Sequence, residues 1–137
     1  MTTIVVDASL IVAWVLREER SAAAEQIAHM IIEEGGWVPQ LFSVEVANVL
    51  LQAVRLKRIV ASYADAQLQR LEDISLSTDI ETNDHAWSAT YRLAVEEGLT
   101  VYDATYLELA LRLGAQLATL DRDLAAAARR RGLAVLP

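Results

Sequence analysis

Four acidic residues are set apart from the other charges of the sequence. Three of them are each the only charged residue in a long stretch, and the fourth directly follows an uncharged stretch. The stretches are 1–16 with Asp7, 35–54 with Glu45, 98–107 with Asp103, and 113–120 followed by Asp121. A lone carboxylate is costly to bury unless a partner compensates its charge. Their isolation therefore indicates that these residues have a function.

Carboxylates that converge on one place would attract a hard divalent cation. Two unit charges about 4 Å apart repel by about 4 kcal/mol at an effective dielectric constant near 20, so four of them would not stay ionised together unaided. Oxygen ligands without histidine or cysteine suit Mg²⁺ or Mn²⁺, which are commonly bound beside phosphates. Hydrolysis of a nucleic-acid phosphodiester by a metal-activated water is the leading chemistry. The predicted catalytic residues and metal ligands are Asp7, Glu45, Asp103 and Asp121.

Each of these carboxylates also has a structural interpretation. Asp7 and Asp121 can be helix N-caps, and Thr100 with Asp103 matches a capping box. Capping does not exclude metal binding. Glu45 has the weakest structural explanation, because it lies inside an apolar helical segment.

The remaining acidic residues and the histidines contribute less to the predicted site. Asp123 is a reserve ligand, since it could bind through a water or only favour a helix N-terminus. Glu108 is expected to pair with Arg112 one helical turn away and to lie outside the site. His29 and His85 stand in charged helical contexts and receive no role.

One compact basic group follows Glu45 in the sequence. Arg55, Lys57 and Arg58 are candidate nucleic-acid-binding residues that could contact phosphates beside the scissile bond, although a solvated helix end is an equally good interpretation. The net charge of −7 argues mildly against many phosphate contacts. Bound metal ions would reverse the local sign of the charge at a carboxylate cluster.

The elements that must position these residues alternate along the chain. Helical periodicity covers 21–34, 41–57, 62–74, 84–97, 102–113 and 122–131, and the candidate strands are 3–6, 37–38, 77–80, 117–118 and 133–135. Glycines before three of these strands are expected to end the preceding helices. Strands separated by helices predict parallel pairing through right-handed crossovers. We therefore expect a three-layer α/β fold in a single domain, 1–137, with the acidic residues near the carboxyl ends of central strands.

The composition limits the cellular setting of the protein. It has no cysteine, which excludes disulfides and thiolate metal sites and favours a reducing compartment. The N-terminal apolar stretch 4–16 is interrupted by Asp7 and is too short to span a bilayer. We expect a cytoplasmic protein without a membrane segment.

Four short segments, in this order and spacing, resemble the PIN-domain ribonucleases, and specifically the VapC-type toxins of bacterial toxin–antitoxin pairs. The segments are IVVDAS at 4–9, EVANVL at 45–50, VYDATY at 101–106 and LATLD at 117–121. The resemblance covers essentially the whole chain. It implies a PIN-like fold with a five-stranded parallel sheet flanked by helices, and endonucleolytic cleavage of RNA.

The resemblance also implies the composition of the site and its partners. Asp7, Asp103 and Asp121 match positions that hold Mg²⁺ or Mn²⁺, with Glu45 contributing. Ser9, Asn48 and Thr119 match supporting polar positions. A homodimer is implied, together with a VapB-type antitoxin whose tail covers the acidic site, often with an inserted arginine.

Two other functions compete with a nuclease. A phosphate-handling α/β domain is disfavoured, because phosphatases of this kind need a second aspartate where Ser9 stands, and receiver domains need a late lysine where the chain has only Lys57. A catalytically silent PIN-like binding module is the non-enzymatic alternative. The four intact carboxylates argue against it.

Overall fold

Five short strands form one parallel sheet in this computed structural model, which describes residues 3–16 and 21–137. The strands are β1 (Ile4–Val6), β2 (Gly36–Val38), β3 (Leu76–Thr78), β4 (Gln116–Ala118) and β5 (Val135–Leu136). Their order in the sheet is β3-β2-β1-β4-β5, and every pairing is parallel. The predicted α/β class with a five-stranded parallel sheet is confirmed.

Helices connect and flank these strands. They are α1 (Ala8–Val15), α2 (Ala22–Glu34), α3 (Phe42–Arg55), α4 (Ala61–Glu72), α5 (Thr82–His85), α6 (Tyr91–Glu97), α7 (Val101–Leu113) and α8 (Arg122–Arg130). A π-helical turn, Ala86–Thr90, joins α5 to α6. In the described part of the chain, none of these helices combines the length and the apolar character needed to cross a membrane.

Helical periodicity did not predict helix α1, which only the possible N-cap at Asp7 indicated. Leu10, Ile11, Ala13, Trp14 and Val15 are all buried, so this short helix is apolar on nearly every side. Such a helix shows no alternation between an apolar and a polar face, and periodicity cannot distinguish it from a buried strand. The helix nevertheless matters for the site, because it begins directly after Asp7.

The edge strands were predicted with shifted boundaries. β3 was expected to reach residue 80, but it ends at Thr78, and Asp79 turns away to accept hydrogen bonds from Arg112 and Thr82. β5 was expected at 133–135 and is instead Val135–Leu136. Strands of two or three residues contain too few side chains for alternation to fix their ends.

Two glycines end helices as predicted. Gly35 follows α2 with a φ of 82°, and Gly114 follows α7 with a φ of 61°. Both angles lie in the range that L side chains rarely adopt, so glycine is the residue that ends these helices at low cost. Each glycine thereby sets the point where the next strand, β2 or β4, begins.

The strand order changes direction at the centre of the sheet. From β1 the chain adds β2 and β3 on one side, and it then returns to place β4 and β5 on the other side. In open α/β sheets, ligands bind in the crevice outside the carboxyl ends of the strands at such a switch point. Here the switch point lies between β1 and β4, and Asp7 and Asp121 follow these two strands.

Candidate active site

The four predicted carboxylates line one open cleft of about 680 Å³ at this switch point. Its other lining residues are Ala8, Ser9, Val12, Ala13, Asn48, Val49 and Leu120. None of the described residues that line the cleft is basic, so no side chain within it neutralises the acidic groups. The fold thus brings together residues from α1, α3, α7 and the loop between β4 and α8.

Asp7 is the most deeply buried of the four, with 4% of its surface exposed. It occupies the N-cap position of α1, but its side chain forms no capping hydrogen bond. Instead, Oδ2 accepts hydrogen bonds from the hydroxyls of Ser9 at 2.5 Å and Thr119 at 2.8 Å. Burial raises the pKa of Asp7 above its ordinary value, and the two hydroxyls act in the opposite direction.

The same hydroxyls attach the loop after β4 to Asp7. The backbone amide of Leu120 donates to Oγ of Ser9, and that of Asp121 donates to Oγ1 of Thr119, each at 3.0 Å. Each hydroxyl therefore accepts from the loop backbone and donates to the carboxylate. All of these donors are neutral, so they orient Asp7 without cancelling its charge.

Asp121 is a true helix cap, as one of its two interpretations predicted. Its Oδ1 accepts a hydrogen bond from the amide of Leu124 at 2.9 Å at the start of α8. Asp123 is exposed and does not line the cleft. Its charge nevertheless contributes to raising the pKa of Asp103, after burial and the charges of Asp121 and Asp7.

Asp103 lies in the first turn of α7, where its amide donates to Oγ1 of Thr100 at 3.1 Å. This bond is the half of the predicted capping box in which the Thr100 hydroxyl caps the helix. The pKa of Asp103 is raised first by burial and then by Asp121 and Asp7. The site is thus arranged so that protons or cations are attracted to it.

Glu45 lies in the first turn of α3, which begins one residue later than the sequence predicted. Burial raises its pKa, and the charges of Asp7 and Asp103 add to this effect. Its Oε1 accepts a hydrogen bond of 2.6 Å from the hydroxyl of Tyr106 on α7. The sequence did not identify Tyr106. Its position three residues after Asp103 was the available signal, because this spacing places two residues on neighbouring parts of one helix face.

The carboxylate oxygens of the cleft suit a divalent cation that keeps part of its water shell better than one bound only by protein groups. In the ranges 3–16 and 21–137, no group of three or more histidine, aspartate or glutamate side chains is arranged to hold a metal ion. Mg²⁺, however, keeps several waters and is usually bound through one or two carboxylates. An open cleft lined by four mutually repelling carboxylates suits such an ion.

The remaining predicted residues lie at different distances from the cleft. Asn48 lines it. Arg55, Lys57 and Arg58 are exposed at the opposite end of α3 and are not among the lining residues. Glu108 pairs with Arg112 at 2.9 Å and lies outside the cleft, as predicted.

Comparison with known proteins places this geometry in a family. A model of the PIN domain matches residues 4–130. Ribonuclease VapC3 of Pyrobaculum aerophilum is 35% identical over 122 residues, which cover 89% of this chain and 92% of that protein. Exonuclease VapC9 of the same organism is 33% identical over 113 residues, which cover 82% of this chain and 71% of that protein.

Solved structures show the same fold. The crystal structure of PAE2754 from Pyrobaculum aerophilum superposes with a TM-score of 0.71 at 27% identity, over 98% of this chain and 83% of that one. The structure of FitAcB from Neisseria gonorrhoeae gives a TM-score of 0.68 at 16% identity, over 98% of this chain and 97% of that one. The chain belongs to the PIN-domain family and, within it, to the VapC-type proteins.

Proposed function

We propose that this protein is a Mg²⁺- or Mn²⁺-dependent endoribonuclease that acts as the toxin of a toxin–antitoxin pair. The observation that carries the proposal is the cleft itself, in which carboxylates from four separate segments meet and none of the described lining residues is basic. The names of the VapC relatives, one a ribonuclease and one an exonuclease, support nuclease activity.

Each carboxylate has a place in the proposed chemistry. Asp7, Asp103 and Asp121 would hold the cation, in part through its bound waters, and Glu45 would contribute. When bound, the cation would lower the pKa of an attacking water and offset negative charge on the phosphodiester. The hydroxyls of Ser9 and Thr119 keep Asp7 oriented. Asn48 offers a neutral amide at the cleft surface that can donate to a phosphate oxygen.

The basic group at and just beyond the C-terminal end of α3 suits the flanking part of an RNA strand. Arg55 follows Glu45 by ten residues on the same helix, a separation of about 15 Å along the helix axis. Phosphates on one side of the scissile bond would lie near Arg55, Lys57 and Arg58. In this arrangement the RNA is cleaved in the acidic cleft, and its phosphate backbone is bound by basic residues outside the cleft.

Protein partners are part of the same proposal. An antitoxin segment that carries an arginine would complement the acidic cleft and block it, because arginine forms paired hydrogen bonds with carboxylates. We also propose that the protein forms a homodimer. Light scattering of the purified protein, with and without its antitoxin, measures both assemblies.

A circular RNA distinguishes endonucleolytic cleavage from digestion at ends. We expect the purified protein to linearise it with Mg²⁺ or Mn²⁺ and to lose this activity in EDTA. Asp7→Asn and Asp103→Asn should abolish cleavage, whereas Asp65→Asn, which changes an exposed aspartate on α4, should cleave normally.

Three results would contradict this function. Cleavage that continues in EDTA would exclude the metal-dependent mechanism, and digestion of linear RNA alone would identify an exonuclease. RNA binding without cleavage would identify a silent binding module. For the toxin role, induced expression should arrest growth, and Asp103→Asn should relieve the arrest.

A further inference from the structure

The hydroxyl of Tyr106 links helix α7 to the glutamate of helix α3. It donates a hydrogen bond of 2.6 Å to Oε1 of Glu45, across 61 residues of sequence. The Tyr106 side chain is fully buried, with 0% of its surface exposed, so packing fixes the position of this donor. By contrast, Glu45 is only partly buried at the cleft surface.

The donor opposes the electrostatic repulsion that Glu45 meets in the cleft. Its carboxylate lies near Asp7 and Asp103, whose negative charges repel it. A glutamate has several rotatable bonds, and a partly exposed one can turn toward water. Tyr106 supplies the opposing attraction from a neutral group, which leaves the negative charge of Glu45 available to a cation.

We propose that Tyr106 is a positioning residue that holds Glu45 in the cleft and thereby strengthens cation binding there. The inference rests on the proposed function, because it assumes that the cleft holds a divalent cation. Helix α7 would then contribute two residues to the cation site. Asp103 would be a ligand, and Tyr106, one turn later, would orient Glu45. Groups that orient metal ligands from behind typically change metal affinity by roughly 10-fold to 100-fold when removed.

Tyr106→Phe tests this role while keeping the buried ring. Mn²⁺ binding is measured by calorimetry on the metal-free protein without RNA. We expect the Kd for Mn²⁺ to rise by about 10-fold or more in this variant. Tyr63→Phe is the control, because the Tyr63 hydroxyl donates to the backbone carbonyl of Val15 and neither residue is among those that line the cleft. Its Kd should equal that of the unmodified protein.

A double-mutant cycle separates positioning from a general structural effect. If Tyr106 acts through Glu45, Tyr106→Phe should leave the Kd unchanged in a Glu45→Ala background. Equal Kd values for the unmodified protein and Tyr106→Phe would overturn the inference and leave the proposed function intact. The same conclusion would follow if Tyr106→Phe raised the Kd by the same factor with and without Glu45. If the unmodified protein binds no Mn²⁺, the proposed function fails and the inference fails with it.

Discussion

The hydroxyl of Thr119 donates a hydrogen bond of 2.8 Å to Asp7, a residue that precedes it by 112 positions in the sequence. Both partners are buried, at 3% and 4% exposure, and they follow the neighbouring central strands β4 and β1. Thr119 also accepts from the amide of Asp121. One side chain therefore fixes two of the four acidic residues relative to each other.

Thr119→Val should destabilise the protein and weaken its cation site. The substitution keeps the shape but removes a hydrogen bond to a charged group, so we expect the free energy of unfolding to fall by about 1.5–3 kcal/mol. Thr105→Val is the matched control, because the Thr105 hydroxyl donates only to the Val101 carbonyl within α7. Urea unfolding and Mn²⁺ titration measure the two effects. Equal Mn²⁺ affinities in the two variants would contradict a role for Thr119 at the site.

The stability of Asp7→Asn, measured relative to the unmodified protein, should increase as the pH rises. Burial raises the pKa of Asp7 above its ordinary value of 3.8, so ionisation costs folding free energy as the pH rises from 3.8 through the folded-state pKa. Asparagine cannot ionise and avoids this loss. The relative stability of the variant should rise by about 1.4 kcal/mol for each unit by which the folded-state pKa is raised.

Urea unfolding in EDTA between pH 3 and pH 8 measures this difference. EDTA is needed because a bound cation would stabilise the ionised carboxylate. A stability difference that stays constant across this pH range would show that burial does not raise the pKa of Asp7.

Arg112→Leu should destabilise the fold without involving the cleft. The guanidinium contacts Asp79 at 2.6 Å and Glu108 at 2.9 Å, and both carboxylates are buried, at 4% and 5% exposure. Removing the arginine takes away the counter-charge that contacts both carboxylates. We expect this to cost about 3 kcal/mol, the lower end of the usual range, because a fifth of the Arg112 side chain is exposed. Arg129→Leu, at an exposed helix end, should change stability by at most about 0.5 kcal/mol.

The stability of Arg112→Leu relative to the unmodified protein should fall as the pH rises, whereas that of Asp7→Asn should increase. Arg112 lowers the pKa of Asp79, so this pair stabilises the fold above pH 3.8 and loses its effect as the pH falls through the lowered pKa. We therefore expect a smaller difference near pH 2 than at pH 7. A larger difference in acid would contradict the ion-pair explanation.

Neutralising the basic group at the C-terminal end of α3 should weaken RNA binding more than catalysis. In an Asp103→Asn background, Arg55→Gln combined with Lys57→Gln should reduce the slope of log affinity against log salt by about 0.7 per lost contact with a single strand. With Asp103 intact, KM for RNA should rise while kcat is retained. Arg92→Gln combined with Arg129→Gln is the charge-matched control at exposed positions. Equal losses from both pairs would indicate a general charge effect and no RNA contact at α3.

The four residues that line the cleft could be singled out from the sequence because their isolation from other charges is a one-dimensional property. Asp7, Glu45, Asp103 and Asp121 stand out by the absence of charged neighbours, and the alternation of helices and strands predicts that parallel strand ends bring such residues together. The strand order itself, which places the switch point between β1 and β4, depends on pairing between distant segments. No local pattern encodes that order.

The supporting residues of the site were harder to predict from the residues themselves. Ser9 and Thr119 entered through family resemblance, and their bonds to Asp7 depend on a contact between the ends of two strands. Tyr106 was missed because a buried aromatic in an apolar helix ordinarily indicates core packing. Its function depends on the polar tip of the side chain, which periodicity does not detect.

The central position of β1 determines when the cleft can exist during synthesis of the protein. β1 pairs with β2 on one side and with β4 on the other, and β4 is made long after β1 leaves the ribosome. Until β4 emerges, one edge of β1 is unpaired. Asp7 then lacks its hydrogen bond from Thr119, and the cleft lacks Asp121. Under the proposed function, a nascent chain therefore has no complete cleft, and cannot cleave RNA, until β4 has joined the sheet.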